Sequence, residues 1–267
     1  MESDVWLFDN ELYVGHDTAS LTRDRTFQSL YVNPLVKILE QQNTKTDFFN
    51  GTTEGVFDEH RGQILTLLVD LKTGGAETWP WVVKQLQPLR ERGWLSFVEN
   101  GKIHRRPITV VGSGNAPFDL LTENTTYRDT FFDAPLDTMW EPAHTAPDAK
   151  DSPTKEKTPT TSADTKDIGQ GLPGTTPNSQ FTKLNSYYAS AGFKSTVGRI
   201  RGGRLSKKQI DIIQGQVRGA HRRGLKARYW DTPDWPLGLR NHVWDVLIRE
   251  GVDLLNVNNL RGASEVW

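Results

Sequence analysis

The chain has 267 residues, no cysteine, and 32 Lys and Arg against 33 Asp and Glu. The lack of cysteine excludes disulfides, thiol nucleophiles and thiolate metal sites, so a bound metal would need oxygen or imidazole ligands. The charges are balanced, so the chain has no overall excess of positive charge that would indicate binding to nucleic acid or to an anionic membrane. No apolar run approaches the roughly 18 residues of a membrane helix, and the start is not organised as a signal peptide. We therefore expect a soluble chain without an obligate protein partner.

Short apolar runs alternate with amphipathic stretches along the chain, which is the pattern of βα units and a parallel sheet. The apolar runs predict strands at 3–8, 64–71, 108–111, 131–134, 187–191, 225–230 and 252–257. An extended segment is predicted at 12–15, after an Asp9-Asn10 turn. Apolar residues at helical spacing predict helices at 27–40, 79–92, 206–223 and 237–250. The order and spacing favour an α/β fold of the TIM (β/α)8 barrel type that is one strand short.

The stretch 141–180 differs in composition from the rest of the chain. It is rich in Pro, Thr, Asp, Lys and Gly and has almost no aliphatic residues. Such a segment cannot bury enough apolar surface to offset the entropy of ordering, so we predict a disordered insertion. Residues 1–140 and 181–267 would then be the N-terminal and C-terminal parts of the same barrel.

Two predicted strands carry pairs of charged residues on a single face. Alternate side chains of a strand point the same way, so Glu2 lies beside Asp4, and Asp70 lies beside Lys72. Carboxylates among apolar residues are usually paired or bound to a cation. Three carboxylates favour a hard divalent ion, Mg²⁺ or Ca²⁺, and Lys72 could contact the phosphate of a substrate. The alternative is a set of salt bridges at the strand ends.

Three further residues are candidates for chemistry outside those pairs. His16 ends the 12–15 segment, where a hairpin could return it to the first strand as a general acid or base, although a turn residue or helix cap has the same pattern. Arg228 and Trp230 share a strand face and could hold a phosphate and an apolar or cationic group of a substrate. Core packing is the alternative for Trp230.

Six segments together resemble the fungal altered inheritance of mitochondria protein 6 family, within the phospholipase C-like phosphodiesterase superfamily. They are ESDVWL at 2–7, LYVGH at 12–16, VDLKT at 69–73, FDAP at 132–135, KARYWDTP at 226–233 and GVDLLN at 251–256. The superfamily is related to glycerophosphodiester phosphodiesterases, which resemble this chain in an E-x-D motif and a later acidic residue. The resemblance implies Glu2, Asp4 and Asp70 as metal ligands, His16 as a catalytic histidine and Lys72 as a phosphate contact.

The resemblance also implies a barrel strand and helix before Glu2, which would carry a second catalytic histidine. Because Met1 directly precedes the E-x-D motif, we expect an N-terminally truncated barrel, from which a targeting segment could also have been lost. The expected function is metal-dependent hydrolysis of a lipid or glycerophospho-type phosphodiester. The alternative is a catalytically impaired or non-catalytic barrel that binds a ligand or partner.

Overall fold

The computed structural model describes residues 1–44, 47–48, 53–143 and 170–264. Its contacts divide the chain into two compact units. The first comprises Met1–Asp133, Ile168–Gln180 and Leu184–Tyr187, and the second Ala134–Asp167, Phe181–Lys183 and Tyr188–Trp267. The central part of the predicted insertion, 144–169, lies outside the described residues.

The fold is mixed α/β. The strands are β1 Glu2–Phe8, β2 Glu11–Val14, β3 Leu65–Leu71, β4 Phe97–Glu99, β5 Lys102–His104, β6 Ile108–Gly114, β7 Tyr127–Arg128, β8 Thr130–Pro135, β9 Ser186–Gly192, β10 Lys226–Trp230 and β11 Leu254–Leu255. The α-helices are α1 Asn33–Gln42, α2 Gly75–Gln85, α3 Gln87–Glu91, α4 Phe118–Thr122, α5 Phe193–Thr196, α6 Lys207–Arg222, α7 Leu237–Arg249 and α8 Leu260–Ser264.

The first unit is built on the strand order β8-β6-β3-β1-β2. The pairs β8·β6, β6·β3 and β3·β1 are parallel, whereas β1 and β2 form an antiparallel hairpin. Its apolar strands pack a solvent-free core, with Val5, Leu67, Val69 and Val110 all at 0% exposure. The aliphatic run at 64–71 therefore forms a strand that is buried on both faces, as its sequence predicts.

Two helices of the first unit differ in detail from their sequence predictions. Instead of one helix over 79–92, α2 begins at Gly75 and includes Pro80, and α3 is separate. A π-helical turn at Gln28–Val32 precedes α1, and Pro34 lies near the start of α1. The single helix predicted at 27–40 is thus a π-helical turn followed by an α-helix.

The second unit contains the order β9-β10-β11, with both pairs parallel. Helices α6 and α7 alternate with these strands, as the apolar spacing predicts. Ser206 caps α6 through a reciprocal capping box with Gln209. Tyr229 and Trp244 are almost fully buried within this unit.

The mixed α/β class and the mainly parallel pairing confirm the coarse fold prediction. Closure into a (β/α)8 barrel stays a prediction, as do the boundaries of the insertion and of the two barrel parts. Among the described residues, no helix is both long and apolar enough to cross a bilayer.

Candidate active site

Strands β1 and β3 bring three carboxylates together. Asp4 and Asp70 are register partners in the parallel pair, and Glu2 lies two residues before Asp4 on the same face. One oxygen from each of Glu2, Asp4 and Asp70 lies within 4.8 Å of the other two. These three residues form what we call the carboxylate cluster. The strand-face argument from sequence places Glu2 beside Asp4, and the pairing of β1 with β3 in the structure adds Asp70.

Lys72 is the cation of this cluster. Its Nζ lies 2.7 Å from Asp70 Oδ2 and 3.2 Å from Asp4 Oδ1. The Lys72 amide also donates to the Val5 carbonyl at 2.9 Å, which extends the β1·β3 pairing beyond the strand end. The lysine side chain is thereby held over the two aspartates.

The charges of the cluster are not balanced by Lys72. Burial raises the pKa of Asp4, Lys72 lowers it, and the repulsion of Asp70 raises it again, so that the net direction is upward. Burial lowers the pKa of Lys72, but its attraction to Asp70 and Asp4 is stronger, and the net pKa is raised. Both shifts favour the protonated form: at Asp4 burial and the neighbouring carboxylates outweigh the attraction of Lys72, and at Lys72 the attraction of the carboxylates outweighs burial.

The donor set fits a hard divalent cation. Carboxylate oxygens are the ligands that Mg²⁺ and Ca²⁺ prefer, and two positive charges would neutralise the excess that remains after Lys72 is counted. Gly114, with φ +62°, ends β6 beside Asp70, and a Cβ at this position would overlap the Asp70 carboxylate. A residue with a side chain at position 114 would therefore displace the Asp70 carboxylate, and only glycine avoids this overlap.

His16 follows the hairpin that the sequence predicts. Asp9 and Asn10, both with positive φ, form the turn between β1 and β2. The Gly15 amide donates to the Asp4 carbonyl at 3.2 Å, and the Trp6 indole donates to the Gly15 carbonyl at 2.8 Å. The backbone just before His16 is thus fixed next to Asp4, while the His16 side chain is exposed.

Two polar residues near the cluster were missed by the sequence reasoning. Ser113 is the register partner of Asp70 on β6, and its hydroxyl donates to Asp133 Oδ2 on β8 at 2.9 Å. Asp133 is fully buried and Ser113 nearly so. Asp4, Asp70, Ser113 and Asp133 therefore form a polar row across four neighbouring strands. The Gly-rich context of Ser113 and the FDAP segment were visible in the sequence, but their pairing was not.

Arg228 and Trp230 lie in the second unit, on β10. Arg228 is 3% exposed, and its guanidinium donates to Asn256 Oδ1 from Nε at 3.2 Å and from a terminal nitrogen at 2.8 Å. The Trp230 ring packs beside Gly192, and its Nε1 is buried without a hydrogen-bond partner among the described residues. A role for either residue in substrate binding stays a prediction.

The family model and similar curated proteins identify the same family. A family model described as the AIM6-like phosphodiesterase domain matches residues 1–133. The altered inheritance of mitochondria protein 6 homolog of Arthroderma benhamiae is 35% identical over 99% of this chain and 73% of its own length. The proteins named altered inheritance of mitochondria protein 6 in Eremothecium gossypii and Lachancea thermotolerans are 29% and 27% identical.

This chain spans 62% of the Eremothecium protein and 59% of the Lachancea protein, in each case while matching at least 99% of its own length. No solved structure matches the chain. The similarity to the Arthroderma protein extends through both units, and the domain match covers the carboxylate cluster and His16. The chain belongs to the altered inheritance of mitochondria protein 6 family.

Proposed function

We propose that this chain is a metal-dependent phosphoric diester hydrolase acting on a lipid or glycerophospho-type phosphodiester. The observation that carries the proposal is the carboxylate cluster, whose oxygens lie within 4.8 Å of one another, with Lys72 beside two of them. The phosphodiesterase description of the matching domain supports the reaction class. The lipid or glycerophospho substrate class rests on the family resemblance alone.

Glu2, Asp4 and Asp70 would hold the cation, Mg²⁺ or Ca²⁺. When bound, the ion supplies Lewis-acid polarisation of the phosphoryl oxygens. The carboxylates would hold it through oxygen atoms that β1 and β3 bring together. Lys72 lies at the same face and donates to a phosphate oxygen of the bound diester, which places a second positive charge beside the reacting phosphorus.

His16 is the proton-transfer group of the proposal. In hydrolysis, the oxygen of a water molecule forms a bond to phosphorus and loses its proton to solvent, and the P–O bond to the leaving group breaks. The leaving oxygen takes a proton, and an imidazole can supply that proton near neutral pH. The two contacts of Gly15 hold the backbone that carries His16 next to Asp4.

The test is turnover of a phosphodiester panel with and without Mg²⁺, in the protein and in His16→Gln. We expect metal-dependent turnover that falls about 10²- to 10⁴-fold in the variant, because general acid–base catalysis contributes that range. Mg²⁺ affinity should not change, since His16 is not a proposed ligand. His60→Gln is the matched control, because His60 is also exposed. Turnover that is equal in His16→Gln would contradict the assignment.

A second candidate is a non-catalytic domain that binds a phosphodiester or another ligand without turnover. The two ion pairs of Lys72 favour it, because a lysine that holds Asp4 and Asp70 competes with a metal for the same oxygens. Lys72→Met distinguishes the two functions. In a hydrolase, the variant binds Mg²⁺ more tightly but loses turnover. In a binding domain, it loses phosphodiester affinity, and no turnover is found in either protein.

A further inference from the structure

A strongly basic segment of the second unit lies far along the sequence from the carboxylate cluster. Between Ser195 and Ile210 the chain contains no Asp or Glu. The same interval contains five cations, all of them exposed, which we call the basic surface: Arg199, Arg201, Arg204, Lys207 and Lys208. The formal net charge of the whole chain is only −1, which conceals this local excess.

The basic surface has no internal counter-charge. Within the parts of the chain that the structure describes, none of its five cations forms an ion pair, whereas Arg222 and Arg223 further along the same sequence pair with Glu141 at 2.7 Å. Lys207 and Lys208 also occupy the first turn of α6, which contains no acidic residue. Positive charge at a helix N-terminus opposes the helix dipole, so this placement reinforces a positive potential instead of reducing it.

The loop that carries the arginines is tied to two helices. The Gln209 side-chain amide on α6 donates to the carbonyls of Val197, Gly198 and Arg199 at 3.3–3.4 Å. The Leu205 amide donates to His242 Nε2 on α7 at 3.1 Å. These contacts hold the backbone in place while the cationic side chains extend into solvent.

Two large apolar side chains lie at the start of the helix that the loop contacts. Trp235 is 74% exposed and Leu237 is 51% exposed. Leu237 begins α7, and His242 lies five residues later, a rise of about 7.5 Å along the helix. The basic surface follows β9, and Trp235 and Leu237 follow β10, so both segments leave the same edge of two neighbouring parallel strands in the same unit.

We propose that the basic surface, together with Trp235 and Leu237, docks this protein onto a membrane that contains anionic phospholipids. Clustered Lys and Arg residues are attracted to the negative surface potential of such a membrane. Tryptophan and leucine side chains insert at the boundary between headgroups and acyl chains. The inference goes beyond the proposed function and does not depend on it, because no residue of the carboxylate cluster takes part.

The apolar pair favours a membrane over nucleic acid as the partner. A nucleic-acid backbone would satisfy the cations, but it offers an exposed leucine no apolar environment. A lipid interface accommodates both kinds of side chain at once. Of the two acids in the loop before α7, Asp231 is paired with Lys194 at 2.9 Å, whereas Asp234 accepts from the neutral amide of Asn258 at 3.2 Å and keeps its charge, so the five cations of the basic surface must outweigh one carboxylate beside Trp235.

The test is co-sedimentation of the full chain with phosphatidylcholine vesicles that contain or lack about one third phosphatidylserine. We expect binding to the anionic vesicles only, and release at high salt because screening shortens the range of the attraction. Replacing the five cations of the basic surface by glutamine should weaken vesicle binding at least about tenfold. Trp235→Ala should weaken it several-fold through the lost insertion.

The matched control replaces five exposed cations of the first unit by glutamine, which changes the net charge equally. These are Arg23, Arg25, Lys37, Lys102 and Arg105. The control variant should still bind anionic vesicles.

Three results would overturn the proposal: equal binding to neutral and anionic vesicles, no binding to anionic vesicles at low salt, or full binding by the variant that lacks the five cations of the basic surface. So would displacement from vesicles by an equimolar DNA duplex, and unchanged binding by Trp235→Ala would exclude the apolar contribution.

Discussion

Asp4 shows most clearly the conflict between stability and function at the scale of single residues. It is partly buried next to Asp70 and Glu2, and burial is the largest of the influences that raise its pKa. An acid whose pKa is higher in the folded state than in the unfolded state destabilises the protein at neutral pH, because the folded protein holds the ionised form at a cost. A bound divalent cation would remove that cost.

We predict that Asp4→Asn raises the melting temperature of the metal-free protein at pH 7. The increase should shrink as the pH falls from the raised pKa of Asp4 towards the ordinary aspartate pKa of 3.8, since protonated aspartate and asparagine are both neutral. The variant should also lose the stabilisation by Mg²⁺, which is about 2.7 kcal/mol at a hundredfold excess of free ion over its Kd. Thermal unfolding with and without MgCl₂ measures both effects. A lower melting temperature in the metal-free variant would contradict the charge argument.

That Glu2 lies beside Asp4, and Asp70 beside Lys72, could be predicted because alternation decides the face within each strand, but the pairing of β1 with β3 that joins them could not. Ser113 and Asp133 could not, because their contact depends on β6 pairing with β8 and on the register of that pair. Nothing in either segment specifies its partner strand. Arg228 was predicted from its own strand, but its contact with Asn256 likewise depends on the pairing of β10 with β11.

At the scale of elements, the long apolar strands and amphipathic helices follow directly from the sequence, and the short elements do not. Strands β4, β5 and β7 form a separate small sheet and have three residues or fewer. Such runs are too short to show alternation. Two of their side chains, Phe97 and His104, stack with ring centroids 4.6 Å apart. That contact between β4 and β5 cannot be seen along a single strand.

Glu141 is the first residue of the segment that composition predicts to be an insertion, and it forms ion pairs with α6. Its side chain is 10% exposed and lies 2.7 Å from the guanidinium groups of both Arg222 and Arg223 at the end of α6. Arg218 donates to its backbone carbonyl at 2.9 Å. This start of the segment therefore forms defined contacts within the second unit.

We predict that Glu141→Gln lowers the free energy of unfolding by about 1 to 3 kcal/mol, because two arginines lose a charged acceptor in a partly buried setting. Chemical denaturation measures the change. Glu123→Gln is the control, since Glu123 is exposed and should be nearly neutral to substitution. An equal effect of the two substitutions would show that the Glu141 ion pairs contribute nothing to stability.

At the scale of the whole molecule, two charge features are distributed between the two units. The first unit contains the carboxylate cluster and the second contains the basic surface, while the formal net charge of the whole chain is only −1. The total charge predicts neither feature, because it averages over both. The motifs predict the first, through strand alternation, while the second becomes apparent only when exposure and ion pairing are known for each residue.

The most direct test of the central claim is calorimetric titration of the protein with MgCl₂. We predict saturable binding with one ion per chain, lost in Asp70→Asn, because that variant removes a carboxylate from β3 and an ion-pair partner from Lys72. Glu59→Gln, which changes an exposed acid outside the cluster, should bind as the unaltered protein does. A protein that binds no Mg²⁺, or an Asp70→Asn variant that binds it equally well, would contradict a metal site at the carboxylate cluster.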